Sequence, residues 1–354
     1  MNLKIRIEAF VQLINFMNAT ANKNESEIDS FLVDDYKQML EIIEDSKIIN
    51  SWFSEEMIIS QLLALSMVAT REKIESWIMP YSDKISLQKS KRIGVVMAGN
   101  IPLVGFHDFL SVLITGNVFV GKLSSKDDKL PVKIAEVLIK IEPEFENVIE
   151  FTNDRLKNFD AIIATGSNNT ARYFEYYFDK YPNIIRKSRN SLAIITGDET
   201  KDELQGFADD ILLYFGLGCR NISKVFVPKS YKFDTLFEAL YKYKDLINHN
   251  KYVNNFDYNR AIYLLNSDEF LENGFFMIKK DNNLASPVAV LHYEYYDDIK
   301  EIENFVNINR NRIQCIVSKQ KINNFEILNF GQSQFPELFD YEDEINTINF
   351  LTNI

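Results

Sequence analysis

Cys219 is the residue of this chain whose type and surroundings best suit covalent chemistry. It lies in the segment GLGCRNIS, between glycines and an expected helix that comes just before a strand. A thiol at a helix start lies near unpaired backbone N–H groups, which stabilise its thiolate and can also hydrogen-bond a developing oxyanion. Cys219 is therefore a candidate nucleophile, and the alternative is a buried, inert cysteine.

The other chemically capable side chains give weaker signals. Cys315 lies in the apolar run RIQCIV, which is typical of a structural cysteine. His249 could act as an acid, but a solvated or capping role is favoured for it. His107 and Asp108 are expected to face neighbouring helices or solvent rather than form a dyad, and the acidic run 340–344 is expected to be a solvated face. Two distant cysteines and three isolated histidines support neither a disulfide framework nor a metal site.

Composition narrows the class of protein. The chain has 354 residues, of which 46% are hydrophobic, and this is enough for a sizeable core and more than one lobe. Its net charge of −12 argues against a nucleic-acid binder. The N-terminus does not have the pattern of a signal peptide, and polar residues interrupt the most apolar stretch, 104–121, so no membrane span is expected. We expect a soluble, cytoplasmic protein.

The elements that must position these residues follow from the hydrophobic pattern. Residues 1 to about 90 show apolar residues at helical spacing and are expected to be mainly helical. A buried strand at 92–98, a helix at 102–115 and a strand at 118–120 then form a βαβ unit, which implies parallel strands.

Further strands are predicted on both sides of residue 195. Expected strands at 148–151, 160–165 and 192–196 extend the pattern, so residues 92–196 are interpreted as an open, doubly wound sheet. Such sheets bind ligands beyond the carboxyl ends of their strands, where Asn100 and Gly166-Ser167 lie. A second lobe of alternating helices and strands begins near Gly197.

Several motifs resemble, in order, those of the aldehyde dehydrogenase superfamily. They are Asn100-Ile101-Pro102, Lys122-Leu123-Ser124-Ser125, Gly166-Ser167 and Gly216-Leu217-Gly218-Cys219. Three positions depart from the superfamily pattern: Leu123 replaces a Pro, Leu217 replaces a Gln, and Ala171 stands where a second Gly is common. The resemblance implies an α/β, aldehyde dehydrogenase-like fold of two doubly wound lobes with the active site between them.

The closer similarity is to the acyl-CoA reductase branch, which includes the reductases that supply aldehyde in bacterial bioluminescence (LuxC type). It rests on the segments GNIPLVGFHDFLSVL, ATGSNNTARYF, GLGCRNISKVFVP and FGQSQFPELFDYEDEINTINFL and covers roughly residues 90–354. By this resemblance, Cys219 carries the acyl group and Asn100 donates to the oxyanion. Lys122, Ser124, Ser125, Gly166 and Ser167 are the implied cofactor-binding residues.

Two departures bear on the reaction. Members that hydrolyse an acyl-enzyme carry a Glu where this chain has Arg186, in the segment RKSRN. Hydrolysis needs a base to activate water, whereas thioester reduction does not, so the difference favours a reductase. A second family Glu, which contacts the nicotinamide ribose, is replaced by Asn283 ahead of Pro287.

The cofactor expectation rests on Ser125. In relatives that prefer NAD, an acidic residue three positions after the Lys of this turn binds the adenosine ribose. Ser125 is neutral and would not repel a 2′-phosphate, so NADPH is expected, with NADH as the less favoured alternative.

The expected product is an aldehyde, made from an acyl-CoA or a carrier thioester. The alternatives are a CoA-acylating aldehyde dehydrogenase, an acyl-phosphate reductase, or a non-catalytic subunit. An acyl-transferase or synthetase partner and a homo-oligomer are also expected. The expected domains are 1–195 for the helical segment and cofactor binding, 196–330 for catalysis, and 331–354 closing the fold or an interface.

Overall fold

The computed structural model describes residues 1–354 and divides them into two compact units. The first unit comprises residues 1–187 and 335–354, and the second comprises residues 188–334. The chain therefore changes unit after Lys187 rather than near residue 195. The expected C-terminal segment is divided, because residues 331–334 stay with the second unit. Every helix is too short or too polar to cross a lipid bilayer.

Residues 1 to about 90 are helical, as the spacing of apolar residues predicts. The helices are α1 (Leu3–Ala21), α2 (Val33–Ile49), α3 (Glu55–Val68), α4 (Arg71–Ile78) and α5 (Ser82–Leu87). Side-chain caps begin two of them: Asn2 accepts a hydrogen bond from the Ile5 amide, and Ser54 accepts one from the Met57 amide. The buried face of α1 belongs to the same hydrophobic core as the adjoining sheet.

The first sheet has five parallel strands in the order β3-β2-β1-β4-β5. Its elements are β1 (Arg92–Val96), α6 (Phe106–Ile114), β2 (Val118–Lys122), α7 (Leu130–Ile141), β3 (Ile149–Thr152), β4 (Ala161–Thr165), α8 (Asn168–Phe178) and β5 (Asn183–Arg186). Strands β2 and β3 are added on one side of β1, and β4 and β5 on the other, so this is an open, doubly wound sheet. The helix expected from Pro102 begins only at Phe106, after a turn.

The prediction that the strand at 192–196 belongs to this sheet is wrong. It is β6 (Asn190–Ile194), which pairs with strands of the second unit, while β5 occupies the edge of the first sheet. Periodicity identifies a buried strand but says nothing about which sheet it joins, because both sheets offer parallel neighbours.

The second unit is built on a seven-stranded sheet in the order β12-β11-β6-β7-β10-β9-β8. Its further elements are α9 (Lys201–Leu212), β7 (Ile222–Pro228), α10 (Asp234–Leu240), α11 (Asn250–Asn266), β8 (Phe270–Glu272), β9 (Met277–Lys280), β10 (Val290–Tyr296), α12 (Ile299–Ile308), β11 (Ile313–Ser318) and β12 (Ile327–Leu328). A capping box between Thr200 and Glu203 starts α9. All strand pairs are parallel except β8 with β9.

Residues 335–354 return to the first unit and end in α13 (Thr347–Leu351). Leu338, Ile348 and Leu351 are buried in the core that also contains α1 and α6. The indole Nε1 of Trp77 donates to Tyr341 Oη at 2.8 Å, and His107 Nε2 lies 2.9 Å from the carbonyl oxygen of Leu338. This segment is thus part of the first unit's fold.

Candidate active site

One edge of the first sheet carries all of the expected cofactor residues. Asn100 follows β1, the turn 122–125 follows β2, and Gly166-Ser167 follows β4. These three strands are neighbours in the order β2-β1-β4 and run parallel. Their carboxyl ends therefore lie together, at the position where open α/β sheets bind ligands.

Asn100 lies exposed in the loop between β1 and α6. This loop packs tightly on the turn after β2, since a Cβ added at Gly99 would collide with Ser124 Oγ and lie 2.9 Å from Ser124 Cβ. The Met97 amide donates to the carbonyl oxygen of Lys122 at 3.0 Å. The loop that carries Asn100 and the turn 122–125 are therefore packed against each other.

In the turn itself, Lys122 Nζ donates to the carbonyl oxygen of Asn153 at 3.2 Å. Ser124 Oγ accepts from the Lys126 amide at 3.3 Å, so this hydroxyl braces the turn. Ser125 is exposed. Its side chain, rather than that of Ser124, is the one on the surface of the turn.

Gly166-Ser167 begins α8. Ser167 is the N-cap, and its Oγ accepts from the Thr170 amide at 3.2 Å. A Cβ at Gly166 would lie 3.0 Å from the ring of Phe174 and 3.1 Å from Thr170, so a larger residue would require these side chains to move by a few tenths of an ångström. The start of α8 therefore lies at the same sheet edge, where the Ser167 hydroxyl caps its first turn.

A cleft of about 630 Å³ opens beside these residues, within the first unit. It lies between the segment 155–159 and α8, and Val96 and Lys122 at the ends of β1 and β2 also line it. The cationic lining residues are Lys122, Arg155, Lys157 and Lys180, and the aromatic ones are Phe159, Tyr173, Phe174, Tyr177, Phe178 and Tyr181. A lining of aromatic and cationic side chains suits a planar base that carries phosphate groups.

Cys219 lies exposed in the second unit, in a turn between a short 3₁₀ segment and β7. The expectation that it starts a helix is wrong: no helix begins there, and the chain enters β7 at Ile222. The glycines that suggested a helix cap instead allow a sharp turn, because Gly216 has a φ of +74°.

The backbone before Cys219 is strained. Tyr214 and Phe215, both buried, have φ values of 55° and 59°, so two bulky residues and Gly216 follow one another in the left-handed region. Each non-glycine residue in this region costs about 1–2 kcal/mol. Such strain persists only where the surrounding structure imposes it, and it is commonly found at functional sites.

Asn221 holds this loop in place. Its Nδ2 donates to the carbonyl oxygens of Leu213 at 2.8 Å and Asp210 at 3.2 Å, at the end of α9, and its Oδ1 accepts from the Gly218 amide at 2.8 Å. A Cβ at Gly218 would lie 2.9 Å from that oxygen, so a larger residue here would displace the Asn221 side chain that braces the loop. Sequence reasoning did not single out Asn221, although an Asn in a glycine-containing loop is a common bracing residue.

Asp210 links the same loop to the segment 330–334. Its carboxylate accepts from the amides of Gly331 at 2.6 Å and Ser333 at 2.9 Å. Burial raises the pKa of Asp210 to about 6, although these backbone hydrogen bonds favour its charged form. No local pattern in the sequence reveals this link, because the partners are far apart along the chain.

Cys315, which the apolar run around it indicates to be a structural cysteine, is connected to the loop of Cys219 through Ser191. Its Sγ is 3.1 Å from Ser191 Oγ, and that hydroxyl donates to the carbonyl oxygen of Cys219 at 2.9 Å. Ser191 therefore braces the backbone of Cys219, and Cys315 is a partner of the bracing residue.

Arg186 is almost fully buried at 2% exposure, at the end of β5. It makes two hydrogen bonds to Asp108, at 2.6 and 2.9 Å, and pairs with Glu342 at 2.9 Å. Burial alone would lower the pKa of Arg186, but the Asp108 and Glu342 carboxylates outweigh it and raise the pKa. The acidic run 340–344 is thus not simply a solvated face, because Glu342 is used in this pairing.

The remaining sequence candidates have structural partners. His249 caps α11, since its Nδ1 accepts from the Tyr252 amide at 3.2 Å. Asn283 donates from its Nδ2 to Asp281 at 2.9 Å, and its carbonyl oxygen lies 3.1 Å from His292 Nδ1. These contacts fix the loop that carries Asn283.

Comparison with known proteins identifies the family of this chain. The model of a family described as acyl-CoA reductase (LuxC) matches residues 47–245. Long-chain acyl-protein thioester reductase 2 of Photobacterium leiognathi is 24% identical over 264 residues, which are 67% of this chain and 55% of that protein. The chain thus spans about half the length of that relative.

Solved structures show the same fold. Aldehyde dehydrogenase 21 of Physcomitrella patens, solved with succinate, superposes with a TM-score of 0.63 at 12% identity, covering 98% of this chain and 87% of that one. Glyceraldehyde-3-phosphate dehydrogenase GapN of Methanocaldococcus jannaschii, solved with NADP, gives 0.57 at 12% identity, covering 94% and 86%. The fold is that of the aldehyde dehydrogenases.

Proposed function

This chain belongs to the acyl-CoA reductase (LuxC) family, and on that premise we propose that it reduces an acyl thioester to an aldehyde with Cys219 as nucleophile and NADPH as reductant. The observation that carries the proposal is an exposed cysteine on a strained, braced loop. The family match includes Cys219, Asn100 and the turn 122–125.

The reaction divides into two stages. The Cys219 thiolate attacks the carbonyl carbon of the thioester, its electron pair forms the new C–S bond, and the former thiol carrier leaves with the electrons of the broken C–S bond. Asn100 and the backbone amide of Cys219 stabilise the negative oxygen. A reduced nicotinamide held at the edge of the first sheet would supply the hydride for the acyl carbon. The C–S bond to Cys219 then breaks, its electron pair returns to the sulfur as the thiolate, and the aldehyde is released.

The guanidinium group of Arg186 and its burial support reduction of the acyl group rather than its hydrolysis. Hydrolysing superfamily members use a carboxylate base at this position, and here a guanidinium is buried between Asp108 and Glu342. A guanidinium remains protonated and cannot activate water. The acyl group on Cys219 therefore persists until hydride arrives.

The charge of the first unit's cleft supports NADPH. Lys122, Arg155, Lys157 and Lys180 line it, and the exposed residue of the adjoining turn is the neutral Ser125. A 2′-phosphate on the adenosine ribose would find cationic partners there and no carboxylate on the turn 122–125. The volume and the aromatic lining fit an adenosine group.

The relative in Photobacterium leiognathi acts, by its name, on long-chain acyl groups carried by a protein. We extend this to the present chain: its substrate is an acyl group held as a thioester by CoA or by a protein. An acyl-transferase or synthetase would then be the partner that delivers it.

The test is oxidation of NADPH by the purified protein with a panel of acyl-CoA and acyl-protein thioesters, with detection of the aldehyde. We expect aldehyde and NADP in equal amounts. NADP reduction that needs aldehyde plus CoA, with no thioester reduction, would identify a CoA-acylating aldehyde dehydrogenase. Activity confined to acyl phosphates would identify the other alternative. No turnover and no acylation of Cys219 by labelled acyl-CoA would indicate a non-catalytic subunit.

A further inference from the structure

Asp127 is a buried carboxyl group that touches the loop of Asn100. It is 5% exposed and lies between the turn after β2 and the start of α7. Its Oδ2 accepts a hydrogen bond from the Leu103 amide at 2.8 Å. Leu103, in the same loop as Asn100, has a φ of 52°, a conformation that L-residues adopt only under constraint. The carboxyl group supplies part of that constraint.

Asp127 also makes backbone contacts within the turn that follows β2. The Asp127 amide donates to the carbonyl oxygen of Ser124 at 3.0 Å, and these two residues form an isolated antiparallel bridge. Ser124 is also the residue that touches Gly99. Asp127 therefore joins the candidate cofactor turn to the loop of the candidate oxyanion donor through one side chain and its own backbone.

The second carboxyl oxygen of Asp127 has no hydrogen-bond partner, although it is buried. Asp127 lines a cavity of about 10 Å³ near the ends of α2 and α3. A buried polar atom without a partner costs stability, so packing alone does not account for a carboxyl group here.

The surroundings favour the neutral form of this carboxyl group. Burial raises the pKa of Asp127 to about 7, which outweighs the Leu103 hydrogen bond, and the neighbouring Asp128 raises it further. The other charged residues around the cavity, Lys126 and Lys129, belong to the same turn. The lining residues from neighbouring segments, Ser46, Ile49 and Phe53, carry no charge, and the Asn100 loop contributes only the Leu103 amide.

We propose that Asp127 is a positioning residue for the reduction: its ionised carboxylate holds the Leu103 amide and thereby sets Asn100 against the cofactor turn. This rests on the function proposed above for Asn100. A carboxylate accepts a hydrogen bond more strongly than a carboxylic acid does. As pH falls through the pKa of Asp127, the contact weakens and kcat falls.

The stability of the fold is expected to change with pH in the direction opposite to kcat. Because the pKa of Asp127 is raised from 3.8 to about 7, the folded state binds this proton more tightly than the unfolded state does. The free energy of unfolding therefore decreases as pH rises between these values. As Asp127 ionises, kcat is expected to rise while the free energy of unfolding falls. A residue that only stabilises the fold would not show these opposite changes with pH.

The experiment compares Asp127→Ala and Asp127→Asn with the wild type from about pH 5 to about pH 9, measuring kcat, both KM values and urea unfolding. Asp127→Ala should lower kcat about tenfold or more at pH 8 and leave both KM values within about twofold, because Asn100 acts mainly in the transition state. Asp127→Asn keeps an acceptor oxygen that is weaker than a carboxylate oxygen, so it should recover only part of the kcat lost in Asp127→Ala at pH 8. It should also remove the decline of kcat near pH 7 and be more stable than the wild type above that pH.

Asp128→Asn is the matched control, since it removes the neighbouring carboxylate and should leave kcat at pH 8 unchanged. Unchanged kcat in Asp127→Ala, or an Asp127→Asn profile identical to the wild type, would overturn the proposal. If Asp127→Ala does not fold, the Asp127→Asn profile alone decides. Asn100→Ala separates the two levels: if it leaves kcat unchanged, the proposed role of Asn100 fails, whereas a slow Asn100→Ala with a fast Asp127→Ala contradicts only the role of Asp127.

Discussion

Cys219 is the single residue on which the proposed chemistry depends. Its loop is held by Asn221 on one side and by Ser191 on the other. Both are ordinary polar residues whose importance comes from the carbonyl and amide groups they reach. The candidate nucleophile can be identified in the sequence by its residue type, whereas the residues that hold its loop can be identified only from their contacts in the structure.

Cys219→Ala should reduce thioester reduction below about one hundredth of the wild-type rate, because covalent catalysis has no easy bypass. The fold should persist, since the side chain is exposed. Cys315→Ala is the control: the Ser191 hydroxyl still reaches the Cys219 carbonyl, so activity should stay within about threefold of wild type. Residual activity of Cys219→Ala comparable to that of Cys315→Ala would assign the nucleophile elsewhere.

Among the elements, the turn after β2 is the one to which we assign the proposed preference for NADPH. It lies at the end of an interior strand and beside a cleft with several cations. If the cofactor binds there as proposed, a charge added to this turn would lie close to the adenosine ribose. Loop residues at such strand ends are free to vary, because they carry little of the packing.

Ser125→Glu should lower the ratio of kcat/KM for NADPH to that for NADH by about tenfold or more, since a carboxylate repels a 2′-phosphate. Ser26→Glu, which adds the same charge at another exposed serine, should leave the ratio unchanged. Steady-state kinetics with both cofactors measures the effect. A wild type that prefers NADH, or equal ratios in the two variants, would show that Ser125 does not select the cofactor.

At the scale of the whole molecule, the chain leaves the first unit after Lys187 and returns to it at Phe335. The buried Arg186 pairs with Asp108 on α6 and also with Glu342 and Thr347 of the returning segment. These contacts connect the returning segment, residues 335–354, to the edge strand of the first sheet. A buried pair contributes little net stability when intact but costs much when only one partner is removed.

Arg186→Met should destabilise the first unit by about 3–5 kcal/mol, because Asp108 is left buried without its partner. Lys187→Met is the control, since it removes only an exposed pair with Glu175 and should cost at most about 1 kcal/mol. Urea unfolding followed by tryptophan fluorescence suits this test, because Trp52 and Trp77 both lie in the first unit. Equal midpoints for the two variants would mean that Arg186 does not anchor this segment.

The sequence by itself determined the fold class, the family and the helical and strand character of most segments. Apolar spacing and glycine turns act locally, so the strand before Asn100 and the cap at Ser167 can be predicted from a few neighbouring residues. The assignment of Asn190–Ile194 to the wrong sheet and the helix expected at Cys219 show the limit of local patterns. A pattern specifies a conformation but not the element it packs against.

Only the tertiary structure decided which distant groups meet. Asp210 with Gly331, Arg186 with Glu342, and Asp127 with Leu103 are contacts between residues separated along the chain. Each involves a charged side chain that would be interpreted as exposed from sequence, because charged residues are usually solvated. Burial changes both their partners and, for Asp127 and Asp210, their pKa. These effects depend on the complete packing of the core, which no short segment encodes.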